Sequence, residues 1–464
     1  MKKENDTKES DLMGKIVSLC KRRGFVFQGS EIYGGFAGTY DWGHLGVALK
    51  RNVTDAWNKA MQEHRNMTFL DSSIFTSGKV WEASGHVSGF SDPLVICNVC
   101  KEKLRADHLL EEVGAKADEK LSETEINRIF DENRNKIKCP KCGRKDFGQV
   151  RASNLLATSN LGMLDEGDDQ IYLRGETAQG IYINYKNVLD TGFVSVPFGI
   201  AQIGKAFRNE ISPRQFLFRK REFEQMEMQY FTLPKDSMTE YEKWKKERME
   251  YYLKLGISKN KLHYKDHENL VFYAKAACDI EYEFPFGWSE LEGIHYRGDY
   301  DLTQHQKFSG VDMSYYDEET KERYIPHIVE TSVGVDRTVL MVLCDAYCED
   351  KIGENSRVVL KLPRKLAPVI CAVSPLLKNK PELVEYANTK VYAPLKMEFG
   401  RVVWDDNGNI GKRYRRQDEI GTPFCIVVDF DTLTDDTVTV RNRDTGEQER
   451  IKVVDLKEYI KERI

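Results

Sequence analysis

The chain is poor in the features that would set it apart from ordinary globular proteins. No window approaches the roughly 20 consecutive apolar residues of a membrane-spanning helix, so a helical membrane protein is not expected. Prolines number only 13, and no low-complexity tract or internal repeat is present, which excludes a proline-rich linker protein and a solenoid. There is no surplus of positive charge: 69 Lys and Arg stand against 74 Asp and Glu, a net −5, which excludes a generally basic nucleic-acid coat but not a local basic patch. The first eleven residues are polar, with nothing resembling an apolar leader. Without such a leader, the ten cysteines point to reduced thiols and a cytoplasmic setting, not to a disulfide framework. Glycines crowd residues 29–43, but their spacing fits no nucleotide-binding fingerprint and reads as tight turns, with the rim of a site as the other reading.

The length is enough for two or three domains, each with its own core. Apolar residues recur at helical spacing over 12–23, 47–61 and 239–255; Gly24 and Gly256 stop the first and last. Cys97-Asn98-Val99-Cys100 and Cys139-Pro140-Lys141-Cys142 are two C-x-x-C knuckles, which together supply the four ligands of a tetrahedral structural zinc. Buried free cysteines or an iron–sulfur cluster are the alternatives. The charged, helix-prone residues 106–135 read as an excursion between the knuckles. Residues 171–180 run from a short strand into a helix start, with Glu176 at the entrance, where a carboxylate can cap a helix. After Asp350 strands and helices alternate: a linker at 361–364, strands at 367–373, 402–404, 424–430 and 437–441, and helices near 381–390, from about Gly411, and at the end. That pattern suggests a small α/β domain.

The densest stretch is 207–231. Arg208, Arg214, Arg219 and Arg221 share it with many carboxylates, and Phe223, Gln225, Glu227, Gln229 and Phe231 alternate with a second set of residues, as in a strand with two distinct faces. Unpaired charges are costly to bury, so this hairpin is either a cradle for a polyanion or a salt-bridged surface. Acidic alternation at 279–283 and again at Glu290 and Glu292 suggests magnesium ligation beside phosphates, or else a solvated edge strand. Residues 330–343 read as a short strand carrying Ser332 and Gly334, followed by an apolar helix from about Asp336 with Arg337 in its first turn.

Taken together, these stretches resemble the class II aminoacyl-tRNA synthetases, most closely the homodimeric glycyl enzymes, over nearly the whole chain. Phe207-Arg208-Asn209-Glu210 is similar to the core of motif 2, and Arg219, Phe223 and Glu227 lie on its return strand. Residues 332–337 resemble motif 3, 174–180 the amino-acid loop, and 411–421 the signature of an anticodon-binding domain. Two positions depart from the class: Gly78 stands where motif 1 usually carries proline, and Ser332 where many members have glycine.

The resemblance implies an α+β fold. A catalytic domain on an antiparallel sheet spans 1–360, a zinc-ribbon-like insertion lies at 97–150, and an α/β anticodon domain occupies 365–464. It implies activation of glycine by ATP and transfer to tRNA, with Arg208 and Arg337 catalytic. The ATP set is Arg208, Asn209, Glu210, Phe218, Arg219, Phe223, Glu290, Leu291, Gly334, Asp336 and Arg337, with Glu290 holding Mg2+. Glycine would meet Arg105, Glu176, Glu227, Glu330, Ser332 and Gly334. Lys412, Arg413, Arg415 and Arg416 would meet the tRNA anticodon, unless that helix face is simply solvated. A homodimer with tRNA-Gly as partner follows. A noncatalytic accessory relative is expected to lose Arg208, Arg219 and Arg337, which are present here. A threonyl, prolyl or seryl enzyme is the remaining alternative, and a threonyl enzyme is expected to use zinc at its amino-acid site.

Overall fold

A computed structural model describes residues 2–115, 121–160, 170–192, 194–267, 270 and 274–464. Its centre is a seven-stranded sheet: β1 (Met67–Phe69), β2 (Phe198–Phe207), β3 (Glu222–Thr232), β4 (Leu262–Asp266), β5 (Ala276–Phe284), β6 (Gly287–Gly298) and β7 (His327–Gly334). The spatial order is β4-β5-β6-β7-β3-β2-β1, antiparallel throughout except where β1 joins β2 in parallel. The period-2 pattern of β3 is resolved by burial. Met226, Met228 and Tyr230 enter the main core, packed against helices α1 (Lys2–Arg23), α2 (His44–Gln62), α4 (Ser237–Leu255) and α5 (Val335–Ala346). The opposite face keeps Gln225, Glu227 and Gln229.

Each helix shows why it lies where it does. Leu45, Leu49, Val53, Trp57 and Met61 make one buried stripe on α2. Helix α4 ends at Gly256, whose φ of 97° lets its N–H reach back to Tyr252 and Leu253 carbonyls. Helix α5 is buried on nearly every side, as its continuous apolar sequence demands. The short helix α3 (Ala178–Ile183) packs Ile181 and Tyr182 against Phe198 and Phe231 at the far end of the sheet.

The insertion is a three-stranded sheet (Ser91–Ile96, Lys103–Arg105, Arg151–Asn154) with two helices, Ala106–Glu112 and Glu123–Asn133, around a core of Val95, Leu109, Ile126 and Phe130. Of the predicted excursion, residues 116–120 lie outside the described part. Beyond the main core, strands β8 (Cys371–Pro375), β9 (Val402–Trp404), β10 (Phe424–Val428), β11 (Thr437–Asn442) and β12 (Gln448–Lys452) form a second sheet, ordered β9-β8-β10-β11-β12, with its own apolar core. The helical stretch expected near 381–390 runs on to Phe399 through a π-helical turn at Ala387–Tyr392. Pro394, in the first turn after it, has no N–H to give the regular ladder, and the wider turn absorbs the defect. Among the features not anticipated from sequence are β12 and the hairpin Tyr347–Ile352 with Asn355–Leu360. Both are short and strongly charged, so their apolar periodicity is weak. Among the described residues, no helix is long and apolar enough to cross a membrane.

Candidate active site

Sheet register builds the site. Gly293, Ser332, Glu227 and Gln202 stand abreast on β6, β7, β3 and β2. In the next row His295, Glu330 and Gln229 are neighbours. Because side chains alternate along each strand, these rows face the same side, and there they floor a cleft of about 220 Å³. Glu176 closes one end from the turn before α3.

Three carboxylates therefore meet, Glu227 and Glu330 buried and Glu176 half-buried. Glu227 is 2% exposed and accepts a hydrogen bond from Thr177 Oγ1. Glu330 receives Gln229 Nε2 at 2.7 Å, His295 Nδ1 at 3.0 Å and Arg297 Nη1 at 3.0 Å. Glu176 accepts from Gln179 Nε2 at 3.1 Å and lies 3.4 Å from His86 Nε2, so it is tied to side chains and does not cap the helix backbone. Their ionisation diverges. Burial pushes Glu176 upward, but His86, Arg297 and Gln179 outweigh it and hold the group below the usual carboxylate range. Burial acts the same way on Glu330, and Arg297 with His295 brings it down to about 2. For Glu227, burial and then the charges of Glu330 and Glu176 push the carboxyl well above its ordinary value. A site with two fixed anions and a third poised to ionise attracts an ammonium group.

The other end of the cleft is cationic. Arg208 lies between the rings of Phe90 and Phe223 at 5.1 and 5.3 Å, its Nε donating to the Gly175 carbonyl at 3.0 Å. Arg337 stacks on Phe218 at 4.4 Å and pairs with Glu290 at 3.0 Å. Arg219 stands 3.9 Å from Glu210. Lys220 and Asp336, 2.5 Å apart and both buried, tie the hairpin to the start of α5. Phe223, Gly334 and Asp336 also line the cleft. Planar cations beside aromatic rings suit a nucleotide: phosphates on the guanidinium edges, a base on the faces.

Not every residue expected here arrives. Arg105 does not line the cleft; it sits buried in the insertion, paired with Asp92 at 2.8 Å and Asp107 at 2.5 Å. Leu291 faces the apolar core because it alternates with Glu290 along β6. The Asn209 backbone N–H bonds the Leu155 carbonyl, and its side chain is not among the cleft residues. Conversely, His86, His295, Arg297 and Lys220 belong to the site or brace it, and no local motif marked them. His295 and Arg297 could have been found from their period-2 spacing beyond Gly293.

The four cysteines converge: Cys97 to Cys142 and Cys100 to Cys139 are each 3.6 Å apart between sulfurs, and all four sulfurs lie within 4.8 Å of one another. A tetrahedron with arms of about 2.3 Å has edges of roughly 3.8 Å, so the set fits a structural metal such as zinc. None of the ten cysteines is in a disulfide. Both knuckles close alike: Lys101 and Gly143, at φ 60° and 70°, return their N–H groups to Cys97 and Cys139 carbonyls.

On the second domain, helix α6 (Ile410–Ile420) carries the basic run, and one of its arginines is corrected. Arg413 is 3% exposed, donating to the carbonyls of Pro375 at 2.6 Å, Gly408 at 3.0 Å and Asp406 at 3.1 Å. It holds the domain together and is not offered to a ligand. Arg416 pairs with Asp405 at 2.6 Å, while Lys412 and Arg415 are exposed. Asp418 and Glu419 do not neutralise this run; they pair with Arg357 and Arg441, and with Arg22 and Arg23. Arg413→Gln is expected to destabilise the protein by about 2–3 kcal/mol in urea unfolding, because three carbonyls, that of Pro375 in a buried bond, lose a charged donor. Arg415→Gln should leave the midpoint unchanged; an equal loss in both would mean that Arg413 has no special structural role.

Comparison with known proteins agrees with this geometry. Residues 158–346 match the family described as tRNA synthetase class II core domain (G, H, P, S and T), and 370–463 match the anticodon binding domain. A glycine–tRNA ligase of Clostridium acetobutylicum is 48% identical, with 98% of this chain and 100% of the relative covered. Glycine–tRNA ligases of Lachnospira eligens (49%; 97% and 98% covered) and Treponema denticola (50%; 97% of each) are similar at full length. A cleft that pairs a carboxylate pocket with an arginine-lined nucleotide site thus sits in a chain that belongs to the glycine–tRNA ligase family of class II aminoacyl-tRNA synthetases.

Proposed function

We propose that this protein activates glycine with ATP, releases pyrophosphate, and transfers the glycyl group to the 3′-terminal adenosine of tRNA-Gly. The observation that carries the reading is the convergence of Glu176, Glu227 and Glu330 at one end of the arginine-lined cleft. The carboxylates take the ammonium of glycine, and in this reading Ser332, beside Glu227 on the adjacent strand, closes the space beyond the α-carbon. Rejection by exclusion needs no editing step when the wanted substrate is the smallest one.

In this reading Arg208 neutralises the α-phosphate as the glycine carboxylate attacks it in line, and Arg219 holds the γ-phosphate. Phe223 and Arg337 cover the two faces of the adenine, and Glu210 accepts from its amine. No side chain acts as nucleophile; positioning and charge stabilisation supply the rate. Glu290 is the magnesium ligand candidate, and the metal would supply charge neutralisation on the released phosphates. Glu290 pairs with Arg337 at 3.0 Å, which places the metal-ligand candidate beside the cation assigned to the adenine face. Amino-acid-dependent ATP–pyrophosphate exchange over a panel of amino acids tests the assignment: exchange with glycine alone is expected. Exchange with none, or with threonine and not glycine, would overturn it.

The remaining assignments rest on the same reading. The catalytic domain spans 1–360 with the insertion at 97–150, and the anticodon domain 365–464; Lys412, Arg415 and Arg416 meet the anticodon. The protein works in the cytoplasm as a homodimer. Cys97, Cys100, Cys139 and Cys142 hold a structural zinc, since four thiolates leave no open coordination position. Metal analysis of the purified protein is expected to find one zinc per chain and none in Cys139→Ser, with amide protection lost across the insertion. Wild-type protein without stoichiometric metal, yet with full protection there, would leave four buried thiols instead.

A further inference from the structure

The glycine-rich loop before α2 takes no part in the chemistry just described, and its construction is unusual. It is carried on a small hairpin, Val26–Gln28 against Tyr40–Trp42. Its backbone is satisfied internally: Tyr33 and Gly35 N–H groups bond the Ser30 carbonyl, Phe36 N–H bonds the Gly29 carbonyl, and Gln28 Nε2 reaches the carbonyls of Phe36 and Thr39. Gly34 and Gly35, at φ 92° and 82°, hold a conformation other residues resist. This well-bonded loop nevertheless presents Ile32, Tyr33 and Phe36 outward, 88%, 87% and 55% exposed. Large apolar side chains on a rigid support cost burial energy that a flexible polar loop would not forgo.

Its position says what it meets. Gly38 packs so tightly on the hairpin between β2 and β3 that a Cβ there would fall 2.6 Å from Pro213. Arg221 clamps the two together: its N–H bonds the Gly38 carbonyl at 2.8 Å, its Nη1 the Ala37 carbonyl at 3.2 Å, and its guanidinium lies over Phe36 at 5.4 Å. The same guanidinium donates to the carbonyl of Glu210, a residue of the cleft. The Phe36 ring is thus tied through Arg221 to a residue of the nucleotide cleft, and the carboxylate at the loop tip, Glu31, is paired with Lys21.

Exposed rings with a guanidinium laid over one of them, at the edge of a cleft lined by further arginines, fit unstacked bases on a phosphodiester chain. We propose that Tyr33 and Phe36, with Ile32 beside them, form a stacking platform for the unpaired 3′ nucleotides of the RNA substrate as they enter the cleft. This rests on the assignment of the protein as a tRNA ligase, and it commits to RNA over a second copy of the chain as the occupant.

The test compares wild type, Tyr33→Ala and Tyr33→Trp for binding to a tRNA-Gly transcript, intact or trimmed of its unpaired 3′ nucleotides. Wild type should lose affinity on trimming. Tyr33→Ala should bind the intact transcript roughly ten- to a hundredfold more weakly and be indifferent to trimming, and Tyr33→Trp should restore both properties. Glycine-dependent pyrophosphate exchange, which needs no tRNA, should be the same in all three. Equal trimming effects in wild type and Tyr33→Ala would overturn the proposal, and so would a change from dimer to monomer in Tyr33→Ala by sedimentation, which would give the surface to a second copy. If wild type showed no exchange with glycine, the functional assignment would fall, while the binding arms would still decide whether this loop holds RNA ends.

Discussion

Glu227→Gln is expected to raise the KM for glycine by about a hundredfold or more while moving the KM for ATP by no more than about twofold. The carboxylate is 2% exposed and stands beside Ser332 on the neighbouring strand, so its amide replacement removes charge without opening a path for water. An ammonium placed there then loses one of three anionic partners, while Arg297 keeps its hold on Glu330. The pH dependence supplies a second signature. In the empty pocket, burial and the charges of Glu330 and Glu176 keep Glu227 protonated to a pH well above the usual carboxylate range. An incoming ammonium favours the carboxylate, so binding expels a proton. Glycine affinity should therefore fall about tenfold per unit as pH drops below that raised pKa, and level off above it. In Glu227→Gln the slope should vanish, because Glu176 and Glu330 are already ionised there. Equal losses for glycine and ATP, or a slope that survives the substitution, would place the ammonium elsewhere.

Arg208→Gln is expected to lower kcat for glycine-dependent pyrophosphate exchange by about 10²–10³. The side chain is held before any ligand arrives, between two rings and against the Gly175 carbonyl, so its charge is in place when the pentavalent phosphorus forms. With Arg219 and Arg337 in the ATP-binding roles proposed above, the loss should fall mainly on kcat. Rapid-quench measurement of adenylate formation separates the terms: a KM effect with unchanged kcat would make Arg208 a ground-state binder. Lysine is a weaker substitute, because it cannot present a planar edge from between the Phe90 and Phe223 rings.

Much of what lines this cleft is legible in the sequence, and particular residues show why. Arg208, Glu210, Arg219 and Glu227 lie within one hairpin, where chain proximity keeps the first three together and period-2 alternation fixes the face of Glu227. The paired C-x-x-C knuckles were legible for the same reason: each places two sulfurs within one turn. Arg413 was misread because a run of cations looks alike whether it faces water or a neighbour's carbonyls; only its contact with Pro375, on a strand 38 residues earlier, distinguishes them. Arg105 was misread likewise, its partners Asp92 and Asp107 being supplied by the fold of the insertion.

From the sequence alone follow the strand faces and the knuckles, which local spacing and alternation set, and, through the family resemblance, the class of fold and most of the cationic end of the cleft. The tertiary structure decides which distant groups stand abreast. Register across β2, β3, β7 and β6 brings Glu227 beside Ser332 and Glu330 beside His295, and packing of the segment before the insertion brings His86 to Glu176. Those encounters divide the three carboxylates into two fixed anions and one that ionises on demand. Ionisation depends on neighbours within a few ångströms, and only the folded chain determines who those neighbours are.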